Sequence, residues 1–383
     1  TNSGRISGCG DYVGGIVGTA VTSVKIEGCI NNGAVTNTGK PSSYAYSTGG
    51  IAGGISGTSS IIRCGNTGDI SSTLKRTGGI VGSLGGTVEK CFNTGNVEGT
   101  YGAGGIAGDS GGAGSSLSDC YNLGTVTGNE PAVAFSDTNA KGVGGIIGGV
   151  SSTSNTASLK NCYNAGNIVL NTSDATVLAG GIVGNSSGKS YSGAVTSGLV
   201  TAQNCYYLAS AAGQGDGYDA SAGGSVAKSA EEMKSEEFAA LLGNFIADPN
   251  GGYPILAWQD PEAAYTVAFS IAVPGAGLTV RDSSGVVMEP ESEQDFTYLL
   301  KNGDYTYTVT CEECEDVHGS FTVAYGGQTI SVSLEVKTYP FIFSTTPRDA
   351  ELIVEGQTPL PDGRTYNLPK AGNPYRYTAR TFG

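Results

Sequence analysis

The sequence predicts an all-β chain: a right-handed parallel β-helix of stacked repeats, a helix-containing cap, and β-sandwich units behind it. Three observations predict this. A Gly-Gly-aliphatic motif recurs through the first half, and a cysteine follows every copy. Within each copy apolar and polar residues alternate with period two and β-branched residues dominate, which is the register of strands. After residue 260 the repeat disappears, and alternating strands separated by turn sequences take over.

The repeat comes first. Gly14-Gly15-Ile16-Val17-Gly18 returns at Gly49-Gly50-Ile51, Gly78-Gly79-Ile80, Gly104-Gly105-Ile106, Gly144-Gly145-Ile146 and Gly180-Gly181-Ile182. The cysteines that follow are Cys29, Cys64, Cys91, Cys120, Cys162 and Cys205. Two residues after the first five stand Asn31, Asn66, Asn93, Asn122 and Asn164; two further on stand Gly33, Gly68, Gly95, Gly124 and Gly166. Val35, Ile70, Val97, Val126 and Ile168 close each unit. A period of roughly 26 to 40 residues is that of a stacked array. One short strand cannot bury its face alone, whereas stacking in register builds a continuous core. The isoleucines are then an inward aliphatic column and the cysteines a buried one. The asparagines form a ladder, each amide bonded to the copies above and below. Glycine supplies positive-φ turns and close backbone approach. The variable spacing between Ile and Cys predicts loops along one side.

GGIVG or GGIAG followed by C-[YF]-N-x-G-x-[VI] resembles the GLUG repeat, over about residues 4–208. GLUG repeats occur in large secreted and surface proteins of Gram-positive bacteria, including the IgA-protease family of metallopeptidases. The resemblance implies an architecture and an extracellular setting, with no fixed activity.

The chain has 383 residues, enough for two or three domains. Its 63 glycines lack a collagen period and belong to the repeat. Only 14% of residues are charged and the net charge is −14, which repels phosphate backbones and argues against nucleic-acid binding. No apolar run approaches the length of a membrane span, so no membrane insertion is expected of this stretch. The chain opens without a signal peptide, and Ser7-Gly8-Cys9 reads as the tail of an earlier copy, so it is taken as a fragment of a longer protein. Of nine cysteines, seven lie in the repeats and two form Cys311-Glu-Glu-Cys314. Bridges between stacked neighbours would be strained, so mostly free, buried thiols are expected.

Residues 1–208 are thus the repeat region. Residues 209–262 are a loop, helix and strand cap. From Tyr206 the pattern fails, as in a terminal copy, and 209–229 read as a loop. Ser229-Ala-Glu-Glu232 is a capping box opening one helix over 230–242, with Met233, Phe238, Leu241 and Leu242 on one face. Residues 253–258 follow as an apolar strand, and the pair is expected over the open end of the array. GLUG arrays often end in a segment similar to this EEMKSEEF…NGGYPILAWQ.

Residues 263–337 read as an antiparallel, Ig-like sandwich with strands at 266–273, 277–281, 296–300, 305–310, 320–324 and 329–336. Asp282-Ser-Ser-Gly285 and Lys301-Asn-Gly-Asp304 read as hairpin turns. Residues 338–383 are an incomplete second unit, in which Phe341-Ile-Phe343-Ser344 matches Val267-Ala-Phe269-Ser270. Both units resemble the carboxypeptidase-regulatory-like and PEGA-type sandwiches of bacterial surface proteins.

Candidates for chemistry reduce to scaffold. Gly108-Asp109-Ser110-Gly111-Gly112 spells a serine-protease nucleophile motif, but the chain has one histidine, His318, outside the repeats. One histidine cannot supply His-Glu-x-x-His. Cys311 and Cys314 are half a zinc site or a redox pair at most, and read as structural or incidental, with a local disulfide among the options. The repeat acids Asp69, Glu89, Glu98, Asp109, Asp119, Glu130 and Asp174 differ in repeat position, so no glycosidase pair stands out. Asp216 and Asp219 could hold calcium with the help of backbone carbonyls, but two acids in a Gly-rich loop read as a solvated turn. Tyr44, Tyr46 and Tyr101 are candidate contacts for a sugar or a protein partner, with strand packing as the alternative. No catalytic, cofactor or metal residue is assigned.

The expected function is a non-catalytic extracellular spacer or adhesive region of a bacterial cell-surface protein. It would present loops to a protein or glycan of a host or neighbouring cell. A carbohydrate-active lyase or glycosidase on the β-helix is the alternative, and an accessory region of a larger secreted hydrolase is a third.

Overall fold

The computed structural model describes all residues except 40–45, 131–140, 151, 190–194, 220–223, 261, 293, 324–326, 347, 349, 371–374 and 381–383. The chain is all-β, 51% strand and 4% helix. It divides into two compact units, Thr1–Gln259 and Asp260–Gly383.

In the first unit the repeats are in parallel register. The first five copies each contribute a strand to each of four sheets, named here for their contents. The asparagine sheet contains the Cys-aromatic-Asn segments, with Phe92–Asn93, Tyr121–Asn122 and Tyr163–Asn164 as successive strands. The valine sheet stacks Val35, Ile70, Val97, Val126 and Ile168 on one another. The glycine sheet carries the first glycine of each pair. The fourth and longest sheet carries the aliphatic residue after each Gly-Gly-Ile and runs on toward the cysteine, unbroken in Ala52–Ile62 and Val81–Glu89. Like residues therefore lie over like. Ile51, Ile80, Ile106, Ile146 and Ile182 are fully buried in one cluster with Val88, Leu117, Leu159 and the cysteines. Each such side chain removed from water contributes about 1.5–3 kcal/mol.

Turning the chain between sheets takes two devices. The residue before each cysteine has left-handed backbone: Gly28 at φ 64°, then Arg63 50°, Lys90 53°, Asp119 52°, Asn161 52° and Asn204 53°. The Gly-Gly pairs are not in that region. They are glycine because of close approach: a Cβ on Gly79 would stand 2.2 Å from the Gly105 carbonyl oxygen and 2.4 Å from Asn93 Cγ. Length variation between Ile and Cys falls within or beside the long sheet, at 21–24, 111–114 and 152–156; a second corner varies too, between the valine and glycine sheets, at 73–76, 100–102 and 172–177.

Both ends of the array differ from expectation. Asn2 bridges Asn31, and Ile6 pairs with Val35. The leading partial copy is therefore Asn2-Ser-Gly4-Arg-Ile6, and Cys9 lies outside the cysteine column and exposed. At the other end the parallel pairing continues after Tyr206. Ile182 and Val183 donate to the Gly215 carbonyl, Asp216 bridges Val183, and strand Ser225–Lys228 pairs in parallel with Cys205–Leu208. The described part of 209–229 thus pairs with the copy before it and is not a plain loop. Backbone hydrogen bonds hold it where the side chains no longer match.

The predicted single helix is two, α1 (Ala230–Met233) and α2 (Glu236–Leu242). The Ser229/Glu232 capping box is present, but Ser235 caps a second start by accepting from the Phe238 N–H. Leu241 points to solvent, while Met233, Phe238 and Leu242 are buried. Of 253–258 only Ile255–Leu256 is strand, paired with Phe245–Ile246, and a 3-10 turn at Ala257–Gln259 follows. These elements do not sit on the end of the array. They lie along its flank, against the rings that follow the last four column cysteines: Phe92, Tyr121, Tyr163 and Tyr206. The Tyr121 and Tyr163 rings are stacked at 5.2 Å and 2°. Phe245 meets both edge-on, Phe238 meets Tyr163 and Tyr206, and Trp258 covers Phe92 while donating to the Lys90 carbonyl at 2.9 Å. A side chain directly over Gly65 would collide with the Phe92 ring, so the aromatic column starts at Phe92.

The second unit has two sheets around Val267, Val280, Leu300, Val309 and Phe269. One sheet is antiparallel throughout. In the other, Ala264–Ile271 pairs antiparallel with Thr297–Lys301 but parallel with Gln328–Val332, against the fully antiparallel expectation. Asp282–Gly285 does close a hairpin. Lys301–Asp304 does not: the strands on either side of it belong to different sheets, so it is a crossover. Thr338–Ile342 with Thr365–Pro369, and Glu351–Val354 with Tyr377–Arg380, repeat two of these pairings on a smaller core of Leu352, Val354, Tyr366 and Leu368. Of the predicted strand 320–324, Ala324 lies outside the described residues.

Candidate functional site

The repeat asparagines form one continuous column. Each Nδ2 donates to the Oδ1 of the next: Asn2 to Asn31, Asn31 to Asn66, Asn66 to Asn93 and Asn93 to Asn122 at 2.7 Å, then Asn122 to Asn164 at 2.8 Å. The second N–H goes to the carbonyl of the glycine two residues on, at 2.7–2.9 Å. From Asn31 to Asn164 the side chains are fully buried. A buried amide without partners is costly, so these residues hold the corner and offer nothing to a ligand. The column stops where Tyr207 replaces the next asparagine.

The cysteines form a second column. All nine in the chain are free, and Cys64, Cys91, Cys120, Cys162 and Cys205 are fully buried. Each column thiol donates to the carbonyl two residues before it, at 3.1–3.5 Å. Burial pushes the Cys91, Cys120 and Cys162 thiols far above their ordinary range. Cys205 is raised first by its contact with Cys162 and then by burial. Such thiols are poor nucleophiles.

The candidate catalytic residues are taken up by their neighbours. Ser110 is buried, and its hydroxyl lies 3.0 Å from the Gly112 and Thr156 carbonyls. Asp109 pairs with Arg76 Nε at 2.7 Å. His318 lies in the second unit, with Nδ1 3.0 Å from the Thr308 hydroxyl. Asp69 accepts from Asn96, Glu98 from Asn129, Glu130 from Ser173, and Glu89 pairs with Lys90. Asp119 accepts from Asn161 at 2.9 Å and from Asn244 at 3.0 Å, tying the flanking helical segment to the corner. Asp216 is buried and accepts from the Tyr218 N–H, and Asp219 is half-buried. No group of three or more His, Cys, Asp or Glu suited to a metal occurs among the described residues.

Of the tyrosines, Tyr44 lies outside the described residues and Tyr46 is buried, not exposed. Tyr101 belongs to a cluster that sequence spacing did not reveal. It lies in one of three successive loops between the valine and glycine sheets. Lys141, from the next, sits 4.3 Å over its ring and pairs with Asp174 at 2.5 Å, and the Tyr101 hydroxyl reaches Asp174 at 3.4 Å. Lys141, then Thr176, holds the Asp174 carboxyl well below the usual range. The three loop bases are thereby clasped, while the tips stay variable in length.

In the second unit a groove of about 410 Å³ is lined by Ser283, Asp304, Thr306, Ser320 and Thr322 around the stacked Tyr305 and Phe321 rings. Cys311 and Cys314 lie in the turn beyond strand Gly303–Thr310, their sulfurs 2.8 Å apart. No helix among the described residues is long and apolar enough to cross a membrane. Comparison of the chain with protein-family models, curated proteins and solved structures finds no match in any of the three.

Proposed function

We propose that residues 1–208 are a right-handed GLUG-type β-solenoid, followed by two β-sandwich units, in a secreted or surface-exposed bacterial protein. Its role is non-catalytic: a rigid spacer that displays variable loops to a protein or glycan partner. The observation that carries the reading is the fate of the polar side chains in the repeats. The repeat asparagines, the column cysteines, Ser110 and the repeat carboxylates are engaged by the copy above or below, by a neighbouring side chain, or by the backbone. What varies between copies is loop length at two corners, over steps of 35, 27, 29 and 42 residues between bonded asparagines. A constant core with variable loops suits display. The Tyr101–Lys141–Asp174 clasp supports it by holding loop bases in place.

The test is binding of the intact chain to an array of glycans and extracellular-matrix proteins, followed by loop exchange at 172–177. Saturable binding that the exchange abolishes supports display. No saturable binding on any surface reduces the role to spacing. Turnover of a polysaccharide by the chain overturns the reading.

A further inference from the structure

The pair Cys311-Glu-Glu-Cys314 differs from the core cysteines in two respects: one of its thiols reaches solvent, and its sulfurs face each other at 2.8 Å. It closes the turn between Gly303–Thr310 and Val317–Val323. The Cys314 N–H donates to the Cys311 carbonyl at 3.2 Å, which curls the four residues and brings the sulfurs to 2.8 Å. A disulfide needs about 2.05 Å between sulfurs, so the remaining movement is a side-chain adjustment. The two thiols are unequal. Cys311 is partly exposed and meets reagents from solvent, whereas Cys314 is 3% exposed and faces its partner. One open thiol beside one sheltered thiol is the arrangement of an attacking and a resolving cysteine.

The same turn is a structural joint. The Glu315 N–H donates to the Glu335 carbonyl at 2.8 Å, and the Lys337 N–H to the Glu313 carbonyl at 2.8 Å. Cys314 bridges Val336, and Lys370 reaches Glu313 at 3.5 Å. The segment leading from the first sheet pair to the second is therefore pinned on the Cys311–Cys314 turn.

We propose that Cys311 and Cys314 are a thiol–disulfide exchange site for a small disulfide, and that oxidation tightens this joint. The Cys311 thiolate attacks one sulfur of the reagent and expels the other half as a thiolate. The Cys314 thiol gives up its proton, and its sulfur attacks Cys311 and expels the second half. The chain loses two protons and two electrons, and the reagent takes them up and leaves as two thiols. Glu312 and Glu313 lie between the two cysteines in the chain and Glu315 and Asp316 directly follow, with Lys337 and, through Glu313, Lys370 as the nearby cations. A cationic disulfide such as cystamine is therefore favoured over anionic oxidised glutathione, by a margin that salt screens.

The experiment uses the full reduced chain. It is exposed to cystamine or oxidised glutathione, quenched in acid, alkylated, and mapped by peptide mass spectrometry. The expected product is a 311–314 peptide that has lost two hydrogens, with Cys64 to Cys205 still thiols. C314S should stop at a mixed disulfide on Cys311. Cystamine should react several-fold faster at low salt, the difference closing as salt is raised. Amide exchange at Lys337 should slow several-fold on oxidation. A lasting mixed disulfide on Cys311 of the unmutated chain overturns the proposal. So does inertness of both thiols under conditions where the urea-unfolded chain reacts. Unchanged protection at Lys337 overturns the tightening of the joint.

Discussion

Replacing Asn93 by alanine removes the middle of the asparagine column. The wild-type side chain accepts from Asn66 at 2.7 Å and donates to Asn122 at 2.7 Å and to the Gly95 carbonyl at 2.8 Å, all without exposure to water. Each bond has a net worth of about 1 kcal/mol, and each buried group left without its partner costs about 1–3 kcal/mol more. The substitution strands the Asn66 amide and the Asn122 oxygen, so the expected loss is roughly 3–6 kcal/mol. Asn2→Ala removes three bonds too, but at the half-exposed end of the column, where water replaces the lost partners, and should cost about 1 kcal/mol. The assay is built into the chain. Its single tryptophan, Trp258, packs on Phe92 inside the first unit, so its fluorescence reports urea unfolding of that unit alone. Stability of Asn93→Ala within about 1 kcal/mol of wild type, or equal losses at Asn2 and Asn93, would refute the reasoning.

Two further predictions use the same readout. Gly79→Ala should cost more than about 3 kcal/mol, because its Cβ has no space, whereas Gly28→Ala, strained only by its φ of 64° with open surroundings, should cost about 1 kcal/mol. Comparable losses at both sites would remove the close-approach account of the Gly-Gly pairs. The second concerns alkaline pH. The folded chain holds Cys91, Cys120, Cys162 and Cys205 as thiols, whereas the unfolded chain ionises them near the ordinary value of about 8.5. The unfolded state then binds fewer protons, so stability is full below that pH and falls above it, by up to about 1.4 kcal/mol per pH unit for each thiol. Cys120→Ala should flatten the slope between pH 9 and 10 by about a quarter of the thiol contribution, measured under reducing conditions. An unchanged slope would mean that the column is not desolvated.

What the sequence disclosed follows from how local each signal is. Asn66, Asn93 and Asn122 recur at a fixed offset from a cysteine, so their stacking could be read by counting. The corner before each cysteine could not: glycine, arginine, lysine, aspartate and asparagine all occupy it, and only the backbone shows that they share one conformation. The ring after Cys91, Cys120, Cys162 and Cys205 was visible as Phe or Tyr, yet its docking to Phe238, Phe245 and Trp258 spans 32 to 166 residues of chain and leaves no periodic trace; the Trp258–Lys90 bond alone spans 168. Gly215 stands where an isoleucine stood in earlier copies, so this last pairing carried no side-chain signature. Lys301-Asn-Gly-Asp304 has the composition of a tight turn, but its flanking strands find better partners in opposite sheets. Among the candidate sites, Cys311 and Cys314 were legible as a motif. Their joint with Glu335 and Lys337 was not, and neither was the meeting of Tyr101, Lys141 and Asp174 from three separate loops.

The column of amides has a direction, because every Nδ2 donates toward the later copy and every Oδ1 receives from the earlier one. Identical links join neighbours whether 27 or 42 residues separate them. A rung is therefore a cassette defined by its two couplings and not by its size. Excision of the chain from one asparagine to its equivalent would leave donor facing acceptor across the cut, while a cassette laid in backwards would bring donor against donor. The array can lengthen or shorten in whole steps without redesign of its core.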